Sequence, residues 1–240
     1  MAKRKTRKKP SKKTPLKGAV GKAVRWTALA GITVVGLVVL VMGLYRVVNP
    51  PTTAYMLAEK SRTGAIDQRW VPIENIAPVM ARAAVAAEDA NFCQHWGFDM
   101  VAIRQAIEDG GARGASTISQ QTVKNVFLWH GRNYTRKALE ALMTPVLEAL
   151  WPKRRIIEVY LNVAEFDAGV FGVEAASHHY FGVSARALSD VQAARLAAIL
   201  PNPKERSASR PSDFVRKRAR SILSGAATID RDGRADCFQS

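Results

Sequence analysis

An uncharged apolar run near the N-terminus limits what this chain can fold into more than any other feature. Between Trp26 and Tyr45 there are 20 consecutive residues without Asp, Glu, Lys or Arg. At about 1.5 Å per residue, a helix of this length spans roughly the 30 Å hydrocarbon core of a bilayer. A cleaved signal peptide has a shorter apolar core, about 7–15 residues, followed by a small-residue cleavage pattern that residues 42–51 lack. The run therefore predicts a single uncleaved transmembrane helix at residues 26–48.

The positive charge of the chain is concentrated in front of this run. The formal net charge is +16, from 36 Lys and Arg against 20 Asp and Glu. Eleven of the basic residues and no acidic residue lie in residues 1–25, which leaves +5 for all the others. A basic tail beside an apolar helix follows the positive-inside rule and is attracted to anionic lipid, so no nucleic-acid partner is needed to explain it. We predict a cytoplasmic tail at 1–25 and an exported chain after Arg46, with the membrane as a partner.

The exported part is predicted to be mainly α. Because Pro50 and Pro51 disfavour helix directly after the anchor, we assign residues 49–72 to a linker and the start of the exported region. Residues 73–227 form one domain, and residues 228–240 a polar C-terminal tail. No run alternates between apolar and polar residues as a strand would. Helical periodicity predicts helices over Val79–Glu88, Met100–Asp109, Thr117–Phe127, Thr135–Trp151, Arg154–Glu165, Val173–Tyr180, Asp190–Leu200 and Asp213–Ser224.

The two cysteines form neither a metal-ligand pattern nor a CxxC motif. Cys93 and Cys237 can make at most one bridge, so the sequence does not indicate a disulfide framework. We predict that both are free thiols.

Two adjacent carboxylates, Glu88 and Asp89, end an otherwise apolar helix. Acidic residues at a helix C-terminus oppose the helix dipole, and burial against Ala and Val raises the pKa of a carboxyl group. Such a carboxylate suits a general base. A solvated helix end explains the pair equally well, so these two residues alone leave both interpretations open.

The next predicted helix has a polar face. Thr117 and Gln120 can form a capping box, which places the helix start after a glycine-rich loop. Thr117, Gln120, Gln121 and Lys124 follow the spacing that usually forms an apolar core stripe. This polar face either lines a cleft for a partly anionic ligand or simply faces solvent.

A cationic cluster and a further carboxylate follow. Arg132 and Arg136 precede Glu140, which lies 52 residues after Glu88, and the spacing does not tell whether the two carboxylates meet. The apolar stretch 126–131 in front of them is either core or a loop that enters lipid.

Five ordered segments resemble the glycosyltransferase domain of peptidoglycan polymerases, and in particular the monofunctional, membrane-anchored biosynthetic transglycosylases. The resemblance covers roughly residues 73–203 and implies a lysozyme-like α fold with two lobes, a membrane-associated jaw region and lipid II as substrate. Two positions depart from the family pattern, Leu139 and Gln192. The segments are EDANFCQHWGFD, GASTISQQTVKN, RNYTRKALE, KRRIIEVYLN and AASHHYFG.

The resemblance also implies roles for individual residues. Glu88 matches the catalytic base and Glu140 the second essential carboxylate, near which a divalent cation, Mg²⁺ or Mn²⁺, is expected. Lipid II and a lipid-linked glycan strand are the expected partners, together with cell-wall synthesis and division proteins, at the bacterial inner membrane. The expected substrate-binding residues are Ser116, Thr117, Gln120, Gln121, Lys124, Asn125, Arg132 and Arg136.

The implied reaction is polymerisation of lipid II into β-1,4-linked glycan, with inversion at the donor anomeric carbon and release of undecaprenyl diphosphate. Two alternatives stay open. A lytic transglycosylase or lysozyme-like enzyme on the same fold would cut glycan with Glu88 as general acid, but has no use for a diphosphate-facing cationic cluster. A catalytically inactive scaffold anchored in the membrane would leave the polar motif residues unexplained.

Overall fold

The N-terminal apolar run is helical. The computed structural model describes residues 16–110, 114–131 and 133–239, and divides the chain into two units with the boundary after Met42. Helix α1 (Leu16–Tyr45) begins ten residues before the apolar run. Its part Val20–Tyr45 is long and apolar enough to cross a membrane, and apolar side chains such as Leu40 are exposed along it. The helix predicted as a membrane anchor is therefore present.

The second unit is mainly helical, with one small sheet. Every helix predicted beyond residue 72 is present, with ends within two residues of the prediction except the last. The elements are α2 (Ala54–Thr63), β1 (Asp67–Gln68), a 3-10 turn (Ile73–Asn75), α3 (Pro78–Glu88), α4 (Met100–Glu108), α5 (Ile118–Phe127), α6 (Tyr134–Leu150), α7 (Lys153–Val163), β2 (Glu165–Asp167), β3 (Val170–Phe171), α8 (Val173–Phe181), a second 3-10 turn (Ala185–Ala187), α9 (Asp190–Ile199), α10 (Asp213–Arg231) and α11 (Asp236–Gln239).

Helix α2 lies in the stretch that was assigned to a linker. The side chain of Thr53 accepts a hydrogen bond from the backbone of Met56 at its start. Gly64 ends it in the left-handed conformation, with φ +83°, which glycine adopts without a steric penalty. The prolines at 50 and 51 delay this helix by a few residues but do not prevent it.

The three strands were not predicted, because strands of two or three residues are too short to show alternation. Strand β3 lies in the centre, parallel to β1 and antiparallel to β2. Gly172, at φ +83°, turns the chain from β3 into α8, and a Cβ there would lie 2.8 Å from the carbonyl oxygen of Asn162. Only glycine fits that close approach.

Two groups of helices pack inside the second unit, which agrees with the lysozyme-like helical fold that the sequence predicted. In one group α3, α9 and α10 pack against one another, and in the other α5 packs against α6 and α7. The small side chains of α3 allow a close crossing, since Ala83 and Ala84 are fully buried. A Cβ at Gly225 of α10 would lie 3.3 Å from the Cβ of Ala86. This packing fixes α3, and with it Glu88, at its C-terminal end.

The prediction of free thiols is wrong, because Cys93 and Cys237 form a disulfide with a Cα–Cα distance of 5.7 Å. Their separation of 144 residues concealed this proximity. Helix α10 packs along α3 and α11 packs on α7, which returns the C-terminal residues to the segment after α3. Residues 228–239, expected as a polar tail, contain the end of α10, helix α11 and the buried Phe238.

Candidate active site

Glu88 is the last residue of α3 and points toward α5 and α10. Its Oε2 accepts a hydrogen bond of 2.9 Å from Nε2 of Gln121. Its Oε1 is buried and has no hydrogen-bond partner in the described part of the chain. The closest cation to Oε1 is Nη2 of Arg218 on α10, at 4.0 Å. The carboxylate therefore has one oxygen held in place by Gln121 and one oxygen without a hydrogen-bond partner among the described residues.

Burial raises the pKa of Glu88, as the apolar helix around it predicted. The hydrogen bond from Gln121 and the positive charges of Arg218 and Lys124 act against this rise, and Asp89 adds to it. A carboxylate whose pKa is raised is a stronger base once it is ionised. It is also a better general acid when protonated, so the pKa alone does not choose between synthesis and cleavage.

Asp89 fastens the end of α3 to its surroundings. One carboxylate oxygen accepts a hydrogen bond of 2.9 Å from the backbone nitrogen of Ile118, at the start of α5. The other lies 2.7 Å from Nε2 of His95. Both side chains are nearly inaccessible. The second member of the acidic pair thus holds α3 against α5, so that Glu88 and Gln121 face each other.

The residues of the predicted polar face of α5 have two different roles, capping the helix and lining a cavity. Thr117 and Gln120 form the predicted capping box and are buried. Thr117 also donates a hydrogen bond of 2.7 Å to the carbonyl oxygen of Gly97. Gln121 and Lys124 line a cavity next to α5, and Thr117 and Gln120 do not line this cavity. The capping box therefore orients the start of α5, and Gln121 and Lys124 face the cavity.

Two cavities meet at Gln121. The first, of about 580 Å³, is lined by Glu88, Ser116, Gln121, Pro201 and Arg218, among others. The second, of about 290 Å³, contains further polar side chains on the other side of Gln121. The polar and charged residues of the second cavity are Tyr55, Gln121, Lys124, Asn125, His130, Tyr160, Glu165, Asn202 and Lys204.

Lys124 lines the second cavity, one turn of α5 beyond Gln121. It is half-buried, and burial lowers its pKa while the negative charges of Glu140 and Glu88 act to raise it. Its neighbour Asn125 is buried and lines the same cavity. An ammonium group in this position offers a charged contact to an anionic ligand beside Glu88.

Glu140 is buried and does not line the cavity that contains Glu88. It is 2% exposed, and its carboxylate is paired with two cations of its own helix α6. Nη1 of Arg136 lies 2.6 Å from Oε2, and the ammonium of Lys137 contacts Oε1. Lys137 also donates a hydrogen bond of 2.9 Å to Oγ of Ser116. Glu140 therefore positions cations that reach Ser116 at the edge of the Glu88 cavity.

The residues around Glu140 do not fit a resident metal ion. Both of its oxygens are taken by Arg136 and Lys137, which repel a cation. Among the described residues, no group of three or more His, Cys, Asp or Glu could hold a metal.

Arg132, expected at the diphosphate, lies outside the described residues. Arg136, expected beside it, donates a hydrogen bond of 2.9 Å to the carbonyl oxygen of Gly131. This contact holds the end of the loop that precedes α6.

Sequence reasoning missed several residues of these cavities, among them Arg218 and Tyr55. Arg218 comes from α10, 130 residues after Glu88, and nothing in the sequence around it distinguishes it from the four other Arg and Lys residues of that helix. Tyr55 comes from α2, in the stretch taken as a linker, and contacts Glu165. Only the contact between distant elements identifies them.

Comparisons with known proteins agree with this geometry. Residues 56–227 match the family model described as Transglycosylase. The chain is 62% identical over 220 residues to a biosynthetic peptidoglycan transglycosylase of a Jannaschia species, which covers 91% of this chain and 92% of the relative. It is 48% identical over 214 residues to the protein of that name from Caulobacter vibrioides, covering 88% of this chain and 93% of the relative. The chain therefore belongs to the transglycosylase family.

Proposed function

We propose that this chain is a peptidoglycan glycosyltransferase that polymerises lipid II into β-1,4-linked glycan strands. The observation that carries the proposal is Glu88 itself, which lines a cavity of about 580 Å³ together with Arg218 and whose buried Oε1 has no hydrogen-bond partner in the described part of the chain. Glu88 takes the proton from the 4-hydroxyl of the acceptor sugar. The hydroxyl oxygen forms a bond to the donor anomeric carbon as the bond from that carbon to diphosphate breaks, with inversion.

The leaving group needs charge neutralisation more than protonation. Undecaprenyl diphosphate departs as an anion, so cations aimed at the developing charge lower the barrier. Lys124 lines the adjoining cavity, and Lys137 contacts Ser116 in the lining of the Glu88 cavity. Arg132 and Arg136 keep the role that the family resemblance implies for them. Glu140 acts as a positioning residue, because it touches the cations rather than the open cavity.

No step of this reaction is assigned to a metal ion held by the protein. Glu140 is not suited to bind the expected Mg²⁺ or Mn²⁺, because Arg136 and Lys137 donate hydrogen bonds to its two carboxylate oxygens.

We place the catalytic unit on the outer face of the bacterial inner membrane, with the N-terminus in the cytoplasm. The basic tail and the apolar helix support this orientation. The Cys93–Cys237 disulfide supports it independently, because disulfides persist in exported proteins and are rare in the cytosol. Cell-wall synthesis and division proteins remain the partners expected of such an enzyme.

Glycan cleavage is the second candidate, because the raised pKa of Glu88 also suits a general acid. Cleavage of a neutral glycan gives no function to Lys124, which is half-buried at some cost in desolvation. We therefore favour synthesis.

The test uses the purified full chain and lipid II as the only substrate. We expect polymer from the wild type, and a loss of at least about 10²-fold in Glu88→Gln, the lower end for general-base catalysis. Glu108→Gln, an exposed carboxylate on α4, is the matched control and retains the wild-type rate. Release of fragments from preformed glycan, without polymer from lipid II, would show the cleaving enzyme instead.

A further inference from the structure

The C-terminal residues 234–239, here called the C-terminal clasp, contact α3 at both ends. At the start of α3, Nε2 of Gln239 donates a hydrogen bond of 3.2 Å to the carbonyl oxygen of Pro78, and Arg82 donates one of 3.3 Å to Oε1 of Gln239. Beyond the end of α3, Arg234 donates a hydrogen bond of 3.3 Å to the carbonyl oxygen of Ala90, two residues after Glu88. One short segment thus contacts the first turns of the helix that carries Glu88 and the residues that directly follow this helix.

The clasp is also joined covalently to the segment that follows α3. Cys237 is bonded to Cys93, five residues after Glu88. Next to the bond, Phe238 and Phe92 are almost fully buried, with ring centroids 6.2 Å apart. Arg154 of α7 donates a hydrogen bond of 3.0 Å to the carbonyl oxygen of Phe238 and so fixes the clasp to the other group of helices.

The segment held by the clasp is the one that orients Glu88. Between Glu88 and Cys93 lies Asp89, which bonds to the start of α5 and to His95. A displacement of Cys93 moves Asp89, and with it the relation between Glu88 and Gln121. The disulfide lies outside the cavities described above, so its effect on them is transmitted through this segment.

We infer that the C-terminal clasp, closed by the Cys93–Cys237 disulfide, is a positioning element for Glu88, and that the oxidised form is the fully active form of the enzyme. This inference rests on the proposed function, since it concerns the same carboxylate. A dithiol reductant opens the clasp: two electrons and two protons pass to the sulfur atoms, which become two thiols, and the reductant becomes a disulfide. Opening leaves α3 held by hydrogen bonds and packing alone.

The test measures lipid II polymerisation by the full chain, well below its Tm, for the wild type, Cys93→Ser and Cys237→Ser, each with and without a dithiol. Thiol titration confirms the state of the bond. A misplacement of about 1 Å can cost about 10²-fold in rate, so we expect kcat to fall between about 5- and 100-fold in both variants, with KM little changed. The dithiol should lower the wild type to the same rate and leave the variants unaffected.

A second readout separates positioning from general stability. We expect opening of the clasp to expose Glu88 to water and so to lessen the rise of its pKa, which should move the acidic limb of the kcat profile to lower pH. None of the groups that face Glu88 belongs to the clasp, so the shift reports the surroundings of Glu88 itself. These groups are Asp89 on its own segment, Gln121 and Lys124 on α5, Tyr160 on α7 and Arg218 on α10.

Two further variants complete the design. Arg234→Met removes the contact with Ala90 but keeps the disulfide, and should reproduce part of the loss and the pH shift. Val173, the buried first residue of α8, lies outside α3 and the clasp, so Val173→Ala should lower Tm and leave kcat and its pH profile unchanged. Wild-type kcat and pH profile in both Cys variants would overturn the inference, as would an equal loss in Val173→Ala. An inactive oxidised wild type would instead refute the proposed function.

Discussion

Arg218 sets the charge beside the proposed base. Its guanidinium lies 4.0 Å from Oε1 of Glu88, and its positive charge counteracts the rise in the pKa of Glu88 that burial causes. Removing the charge in Arg218→Met should raise the pKa of Glu88 further. Because a general base acts in its ionised form, the acidic limb of the kcat/KM profile should move to higher pH.

The measurement is a pH profile of polymerisation for the wild type, Arg218→Met and Arg218→Lys. Arg218→Lys keeps the charge and should restore most of the wild-type profile. Arg220→Met is the matched control, because Arg220 is exposed on the same helix and lines no cavity with Glu88. An unchanged limb in Arg218→Met would show that this charge does not act on the base.

Substitution of Lys124 distinguishes glycan synthesis from glycan cleavage. If its ammonium neutralises the leaving diphosphate, Lys124→Ala should slow polymerisation of lipid II by the equivalent of about 2–4 kcal/mol, as for other preorganised electrostatic contacts. Lys124→Arg should recover part of the rate, since a planar guanidinium does not replace a compact ammonium group. The check is a pair of rates, lipid II polymerisation and degradation of isolated glycan. A variant that polymerised normally would remove Lys124 from the reaction.

At the scale of elements, two helices with capping boxes can be compared, α5 at the candidate site and α9. Thr117 caps α5, which carries Gln121 and Lys124, and Ser189 caps α9 with the same arrangement. Ser189→Ala should lower the free energy of unfolding by about 1 kcal/mol, measured by urea titration, and Thr117→Ala by more, because the buried hydrogen bond from Thr117 to Gly97 is lost as well. Thr117→Ala should also lower kcat, because α5 presents the site, whereas Ser189→Ala should not. Equal activity in the two variants would mean that the cap of α5 has no part in arranging the site.

The elements that the sequence predicted are those with local signals. A capping box and helical periodicity identify α5, and Glu88 and Lys124 were singled out from their own segments. The strands were not predicted because two or three residues are too few to show alternation, and helix α2 was not predicted because the prolines before it led us to assign its residues to a linker. The disulfide between Cys93 and Cys237 and the position of Arg218 beside Glu88 could not be predicted, because both depend on the packing of α10 against α3, which is distant in sequence. Glu140 was singled out through the family resemblance, and its pairing with Arg136 and Lys137 is visible only in the fold.

At the scale of the whole molecule, charge and apolar length together predict its orientation. The tail of eleven basic residues should keep the N-terminus in the cytoplasm, and the apolar helix should place Glu88 and the rest of the second unit across the membrane. A reporter that is active only after export, fused behind Ser240, should therefore be active, and a reporter active only in the cytoplasm should be silent. Replacing the basic residues of 1–25 by Gln removes the orienting charge and should lower the exported fraction without altering the helix. Cytoplasmic activity of the fusion to the unaltered chain would contradict both the orientation and the proposed action on lipid II at the outer face of the membrane.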